Sequence, residues 1–289
     1  RTRSTTAMKS ATLSLRNMCL PAICLLCTLP CCAAGRWWRG KGGGGSGAAS
    51  KAAASTEYDA VDCQKCMSQV MRLLVPAGRG CQAGNGTLIP STTNARVPCA
   101  YCDTLLPKKR QCVVYSFGVD SVWDFDKAMV GAGCRVISFD PFCCGSSHKI
   151  GADHDFLPVG LATYDGVAVA DAAHLNVTYP VSTLRTLMQS LEHDRIDMLR
   201  LKVSSKVEWK GLKNLINLGT VQEIRQISLN IHLADSDMWE EYKTILTGLK
   251  SAGFAPFYVA KQPDAAYLKV QEGVQSLHNR YEVAYGYTY

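Results

Sequence analysis

The first 56 residues contain no aspartate or glutamate, although the whole chain has 24 of these residues. The same stretch holds eight of the 31 lysines and arginines: Arg1, Arg3, Lys9, Arg16, Arg36, Arg39, Lys41 and Lys51. Because the formal net charge is +7, removing these eight leaves −1 for the remaining chain. The folded part of the protein therefore lacks the basic surface that nucleic-acid binding requires, and no nucleic-acid partner is expected.

Charged residues are sparse at 19%, whereas hydrophobic residues make up 47% of the chain. From Glu57 onward this balance is typical of a folded globular protein. No internal repeat is visible, and the glycine fingerprint G-x-G-x-x-G of dinucleotide-binding folds is absent. The second absence counts against NAD as a cofactor.

Residues 1–35 have the pattern of a targeting segment. Lys9 and Arg16 give it a positive start, Met18–Pro30 is apolar, and Cys32–Gly35 offers small residues for cleavage. The apolar stretch is at the short end of the roughly 17–25 residues that span a bilayer, so a cleaved signal peptide and a signal anchor both stay open. Either one predicts the secretory pathway, with a secreted or type II membrane-anchored protein of the Golgi or ER lumen. Residues 36–56 are rich in Gly, Ser and Ala and predict a flexible linker.

Two N-glycosylation sequons, at Asn85 and Asn176, agree with exposure to the lumen. Nine of the 14 cysteines follow the targeting segment: Cys63, Cys66, Cys81, Cys99, Cys102, Cys112, Cys134, Cys143 and Cys144. Such a density in an oxidising compartment predicts disulfides. Because nine is odd, at least one thiol should be free or paired between chains.

A zinc site is the alternative for the cysteines of residues 57–110, which we expect to form a small Cys-rich N-terminal subdomain. Its four thiolates would be Cys63 and Cys66 with Cys99 and Cys102. However, the 32 residues between the two pairs (67–98) exceed the roughly 15–20 that are usual for such a site. Disulfides are the favoured interpretation.

Apolar periodicity predicts an α/β fold for residues 111–289. A helix is expected over Ala60–Val75, then a buried strand Cys112–Phe117, a helix Asp124–Ala132 and a second buried strand Cys134–Phe139. The later elements are strand Phe156–Leu161, helix Val181–Leu191, strand Ile196–Val203, a helix marked by Trp209, Leu212, Leu215 and Ile216, strand Ile224–Ile231, helix Met238–Leu249 ended by Gly253, and strands Phe254–Ala260 and Tyr281–Tyr289. Such alternation predicts a doubly wound, mainly parallel sheet with helices on both faces.

A ligand of such a sheet binds beyond the carboxyl ends of the strands, where the first strand's loop meets the end of the second. The first loop is Ser116–Asp120, in which Gly118 lets the backbone approach a ligand. Asp140 ends the second strand, where a carboxylate can accept both hydroxyls of a ribose. The pair predicts a nucleoside-binding site.

The residues around this site resemble the FkbM-related methyltransferase domain of animal proteins similar to methyltransferase-like protein 24. The resemblance rests on CVVYSFGV at 112–119, WDFD at 123–126 and GCRVISFDP at 133–141. Weaker blocks at 160–161, 196–201, 208–209 and 226–232 extend it over about 111–261. It implies a Rossmann-like class I methyltransferase fold with S-adenosylmethionine (SAM) as cofactor and an unknown methyl acceptor.

The resemblance also implies roles for individual residues. SAM would be bound by Tyr115, Ser116, Phe117, Gly118, Val119, Asp140 and Gly160. Glu208 and His232 would line the acceptor side as the catalytic pair, although a first-turn helix carboxylate and a strand-end histidine are equally ordinary structural features. No metal is implied.

The chain departs from the family pattern on the acceptor side. Lys202, Ser204 and Asn230 stand where family members usually have acidic residues, and one extra residue precedes Glu208. The loss removes proton acceptors and predicts a local excess of positive charge, which would tolerate the SAM sulfonium less well. Two further hypotheses stay open: an inactive methyltransferase-fold binding module, and a Cys-rich interaction protein that uses the α/β domain as a scaffold.

Overall fold

The structure of the protein is a computed structural model that describes residues 63–77, 81, 86–92, 96–170, 177–268 and 277–288. The expected targeting segment, the linker and both sequon asparagines, Asn85 and Asn176, lie outside the described residues. Within those ranges, every helix is too short or too polar to cross a membrane.

Five α-helices form in the described residues: α1 (Gln64–Leu73), α2 (Asp124–Gly131), α3 (Leu184–Ser190), α4 (Lys206–Asn217) and α5 (Trp239–Ser251). Side chains cap three of them: Sγ of Cys63 accepts the N–H of Cys66 at α1, Thr183 accepts the N–H of Thr186 at α3, and Glu208 accepts the N–H of Ser205 at α4. The strands are β1 (Thr87–Ile89), β2 (Cys99–Tyr101), β3 (Cys112–Phe117), β4 (Cys134–Phe139), β5 (His148–Gly151), β6 (His154–Leu157), β7 (Gly160–Leu161), β8 (Gly166–Ala170), β9 (Val177–Ser182), β10 (Met198–Val203), β11 (Gln226–His232), β12 (Phe254–Lys261), β13 (Tyr267–Leu268), β14 (Leu277–His278) and β15 (Arg280–Tyr287).

Eight strands form the central sheet in the order β12-β15-β11-β10-β3-β4-β6-β5. Strands β6, β4, β3, β10 and β11 run parallel. Antiparallel pairing joins β15 to both of its neighbours and β5 to β6. Strands β3 and β4 are neighbours, and their register places Cys112 opposite Cys134.

Helices pack on both faces of the sheet, because successive side chains of each strand point to opposite sides. On β3, Tyr115 and Phe117 belong to the larger core cluster, which also contains residues of α1, α3, α4 and α5. Val114, the residue before Tyr115, belongs to a second cluster with Phe125 and Met129 of α2. The predicted doubly wound, mainly parallel α/β fold is confirmed.

The strand predicted over Phe156–Leu161 is wrong in one respect, since two short strands occupy this stretch. β6 ends at Leu157 in the central sheet, and β7 begins at Gly160 in a separate three-stranded sheet of order β7-β9-β8. Pro158 lies between them and has no N–H to donate to a neighbouring strand, which favours the end of β6 at Leu157.

The helix predicted over Val181–Leu191 begins later than expected. Val181 and Ser182 end strand β9, where they pair with Gly160 and Leu161 of β7, and α3 starts only after Thr183. The threonine cap explains the boundary, because its hydroxyl satisfies an N–H in the first turn of α3.

The disulfides predicted from cysteine density are present, and Cys99 is the free, buried thiol among the described residues. Burial raises the pKa of the Cys99 thiol to about 12. The four pairs are Cys63–Cys66, Cys81–Cys102, Cys112–Cys134 and Cys143–Cys144. The four sulfurs of the zinc alternative are therefore divided between two disulfides and the free thiol, and they do not form one site.

The Cys-rich segment before β3 packs directly on the central sheet. Buried Gln226 of β11 holds it through two hydrogen bonds with the backbone of Cys102: Oε1 accepts the N–H at 2.6 Å, and Nε2 donates to the carbonyl at 3.0 Å. Helix α1 adds Met67 and Val70 to the same core cluster as α5. Both contacts tie this segment to the sheet that carries the candidate site.

Candidate cofactor-binding site

The turn after β3 has a left-handed backbone at three of its residues. The φ angles are +75° at Gly118, +50° at Asp120 and +61° at Ser121. A Cβ on Gly118 would lie 2.7 Å from Cβ of Lys202 on β10, so only glycine fits this close approach. Two consecutive non-glycine residues in the left-handed region are uncommon, and the N–H of Asp120 is held by the Asp140 carboxylate.

Asp140 connects this turn to the end of β4. Its side chain is buried, with the residue only 3% exposed. Oδ2 accepts the N–H of Asp120 at 3.0 Å, and Oδ1 accepts the N–H of Phe142 at 2.9 Å. A carboxylate has about four acceptor positions, so two remain after these bonds. Asp140 thus fixes both loops and keeps acceptor capacity.

A cleft of about 690 Å³ opens beside these two loops, and we call it the Asp140 cleft. Phe142, which is 60% exposed, and Tyr179 of β9 stand together in its lining, with ring centroids 4.6 Å apart. Gly160 lies behind them, where a Cβ would come within 3.1 Å of the Tyr179 ring. The cleft therefore combines an aromatic wall, a glycine turn and a carboxylate.

The structure brings four of the seven predicted cofactor residues into this cleft: Phe117, Gly118, Asp140 and Gly160. Tyr115 is fully buried in the core instead, and its hydroxyl lies 2.8 Å from Nδ1 of His193. Ser116 and Val119 line a separate, small pocket instead.

Glu208 also lines the Asp140 cleft, but its carboxylate is engaged in capping α4. Oε2 accepts the backbone N–H groups of Ser205 at 2.6 Å and Ser204 at 3.0 Å. His232 is placed elsewhere, at the end of β11, with Nε2 3.3 Å from Nδ2 of Asn279. Burial and nearby Arg280 lower the pKa of His232.

Lys202 and Asn230, for which the resemblance implies acidic residues in related proteins, have partners of their own. Nζ of Lys202 lies 2.5 Å from Oδ2 of Asp120, and Nδ2 of Asn230 donates to the Glu282 carboxylate at 3.0 Å. Asp120 therefore offsets part of the positive charge that the sequence predicts. Sequence reasoning placed Asp120 in the predicted loop but gave its carboxylate no role, and it missed Phe142 and Tyr179. Phe142 adjoins a recognised motif, whereas nothing in the sequence signals Tyr179.

Solved structures similar to the chain include several methyltransferases, all at low identity. Precorrin-6y C5,15-methyltransferase from Geobacter metallireducens GS-15 is 10% identical, with 64% of this chain and 86% of that chain covered and a TM-score of 0.32. Ribosomal protein L11 methylase from Lactobacillus delbrueckii subsp. bulgaricus is 12% identical, with coverages of 63% and 73% and a TM-score of 0.29. The 1,6-didemethyltoxoflavin-N1-methyltransferase of Burkholderia thailandensis, solved with S-adenosylhomocysteine, is 12% identical, with coverages of 62% and 72% and a TM-score of 0.31.

No curated protein matches the chain significantly. A family model described as "Methyltransferase domain" matches residues 94–287, which is about two thirds of the chain. The predicted class I methyltransferase fold is consistent with this match and with the strand order of the central sheet, and the cofactor of the domain is SAM. The chain belongs to this methyltransferase-domain family.

Proposed function

We propose that the protein is a SAM-dependent methyltransferase of the secretory pathway and that SAM binds in the Asp140 cleft. The observation that carries the proposal is the convergence of the Gly118 turn and the buried Asp140 carboxylate on one cleft with an aromatic wall. This is the position at which doubly wound sheets bind ligands, beyond the carboxyl ends of adjacent strands.

The residues of the cleft fit the parts of SAM. The two acceptor positions left on Asp140 suit the ribose hydroxyls. Phe142 and Tyr179 offer aromatic surface for the adenine, and the Gly118 turn lets backbone approach the ligand without a side chain between them. When bound, SAM supplies an activated methyl group on its sulfonium. The chain contributes orientation and exclusion of water.

A second candidate function is an inactive binding module, and the bonding of Glu208 favours it. Oε2 of this carboxylate is engaged with the first turn of α4, as expected of a structural cap. Lys202, Ser204 and Asn230 stand at the positions where the resemblance implies acidic residues. The group that removes a proton from the hydroxyl of the methyl acceptor therefore has to come from elsewhere in the site. Asp120, two residues after Gly118, is the remaining carboxylate in the lining of the Asp140 cleft once Asp140 and Glu208 have other roles.

We further propose that the domain is related to the FkbM-related methyltransferases of animals. The stretches 112–119 and 133–141 support this relationship, and they include the Gly118 turn and Asp140. The same two stretches form strands β3 and β4 and the loops that line the Asp140 cleft. The acceptor is not specified by this relationship.

Calorimetric titration of SAM into the full chain tests the proposed cofactor site. We expect saturable binding with a Kd below about 1 mM, since the KM values of enzymes typically lie between about 1 μM and 1 mM. S-adenosylhomocysteine should compete with SAM for the same site. Absence of heat at millimolar SAM, from protein shown to be folded, would contradict the proposal.

The secretory pathway is supported by the disulfides of the folded domain. Cys81–Cys102 and Cys112–Cys134 join buried cysteines, and the cytosol keeps such thiols reduced. The expected signal peptide or signal anchor within residues 1–35 would deliver the chain to an oxidising compartment.

Protein made in animal cells should carry N-glycans if this localisation is right. Glycosidase treatment is expected to increase its gel mobility, because a large solvated glycan is removed from the sequon at Asn85, Asn176 or both. The double variant Asn85→Gln, Asn176→Gln is the control and should run at the mobility of the treated protein. Unchanged mobility of the wild type, together with cytosolic fractionation, would overturn the secretory assignment.

A further inference from the structure

A second cleft of about 650 Å³ adjoins the Asp140 cleft, and the two share Gly118, Asp120 and Lys202 in their linings. We call it the basic cleft. It lies past β10 on the side of β11 and β15. The rest of its lining consists of Arg96, Arg200, Asn230, Gln262, Asp264 and Arg280. A molecule bound there would contact residues that also line the proposed SAM site.

Positive charge exceeds negative charge in this lining. Arg96, Arg200, Lys202 and Arg280 face two carboxylates, Asp120 and Asp264. Arg200 is neutralised by the buried carboxylate of Glu282 at 2.8 Å. The remaining three cations share two carboxylates, since one oxygen of Asp120 contacts both Arg96 and Lys202 while Asp264 pairs with Arg280. One positive charge is therefore left over.

Two buried donors in the lining have no hydrogen-bond partner among the described residues. Gln262 is 3% exposed, and its Oε1 accepts the N–H of Val97 at 3.1 Å. This bond identifies Nε2 as the amide donor, and Nε2 is unpaired. Nε of Arg280 is unpaired as well. A buried donor without a partner carries a desolvation penalty, which an oxygen acceptor supplied by a ligand would remove.

We propose that the basic cleft binds an oxyanion of the methyl acceptor, either a carboxylate or a phosphate. The proposal rests on the proposed function, because it takes the neighbouring Asp140 cleft as the SAM site. The amide of Gln262 and the guanidinium of Arg280 would donate to the oxyanion, while the excess positive charge neutralises it. Such an anchor would fix the acceptor beside Gly118 and Lys202, at the junction of the two clefts.

Binding of small probes to the full chain tests this site. Succinate, inorganic phosphate and the uncharged diamide succinamide are each titrated at constant ionic strength, which is maintained with KCl. We expect at least one of the two anions to bind saturably and raise the Tm, whereas succinamide does not. The anion that binds identifies the carboxylate or the phosphate as the preferred group.

Three variants locate the binding. Gln262→Glu keeps the oxygen that accepts from Val97 but replaces the free donor with a negative charge, and Arg280→Gln removes the guanidinium. Each should weaken anion binding at least tenfold. Lys250→Gln on the exposed side of α5 removes the same unit charge outside the cleft and should leave binding unchanged. Comparable Tm values without ligand exclude misfolding of the variants, and Lys202→Gln replaces any variant that fails to fold.

Two outcomes would overturn the proposal: neither anion binds more tightly than succinamide, or Gln262→Glu, Arg280→Gln and Lys250→Gln all bind like the wild type. SAM titrated into the same samples separates this proposal from the proposed function. SAM binding without anion binding would refute the basic cleft alone. Anion binding without SAM binding would refute the methyltransferase assignment and with it the acceptor role of the anion.

Discussion

Replacing Asp140 with asparagine should weaken SAM binding by about 10- to 100-fold. The variant has nearly the same shape but loses the charge and one acceptor oxygen. Its new amide donor must face either the N–H of Asp120 or the N–H of Phe142, which the carboxylate accepts in the wild type. Loss of charge-assisted hydrogen bonds to ribose costs about 1.5–3 kcal/mol, which gives the expected range. Calorimetric titration measures it.

Asp165→Asn is the matched control for this experiment. The Asp165 carboxylate also fixes a loop, because it accepts the N–H of Thr183 at 2.9 Å and the hydroxyl of Ser182 at 2.5 Å. It does not line the Asp140 cleft. The control should lose stability but retain SAM affinity. Wild-type protein that binds SAM tightly, with Asp140→Asn binding equally well, would refute the assignment of the site.

Replacing Arg200 with methionine should lower the free energy of unfolding by about 3–5 kcal/mol. The change leaves the carboxylate of Glu282 charged and buried at 1% exposure, without its cation. Ser228 and Asn230 still donate to Glu282, but neutral donors do not replace the guanidinium. The variant also loses the cation that lies 4.9 Å from the centroid of the Phe125 ring. Denaturation by urea measures the change.

Lys243→Met is the control, because Lys243 belongs to an ion pair with Glu240 on the exposed face of α5. Surface pairs of this kind contribute about 0–1 kcal/mol. The double variant Arg200→Met, Glu282→Gln should regain part of the lost stability, since it no longer buries an unpaired charge. If Arg200→Met costs no more than Lys243→Met, the buried pair does not stabilise the fold in the way we describe.

The central strands could be predicted because each is a short run of apolar residues, which indicates a buried strand. Cys112–Phe117 and Cys134–Phe139 are apolar runs with clear ends, and both appear in the structure with the predicted bounds. Gly118 and Asp140 could be predicted for the same reason, since each directly follows such a run. The break between β6 and β7 at Pro158 could not be predicted from apolar residues alone, because apolar residues lie on both sides of it. The break depends on the sheet in which each strand pairs.

The rest of the site depends on contacts between residues far apart in the chain. From the sequence alone, Lys202 predicts a positive charge without a partner. In the structure its Nζ pairs with the carboxylate of Asp120, which comes from the turn after β3. Tyr179 reaches the Asp140 cleft from a separate sheet. Asp140 also bonds to the backbone N–H groups of Asp120 and Phe142, so stability and SAM binding should fall together when it is replaced.

The disulfide between Cys112 and Cys134 closes β3 and α2 into a covalent ring that ends at the first residue of β4. It joins the first residues of the two strands, so the Gly118 turn lies inside the ring and Asp140 follows six residues after it closes. A protease that cuts the chain within α2 would leave the two halves of the cofactor site on separate fragments that stay bonded to each other. Such a nicked protein would run as one species on a gel until a reductant is added.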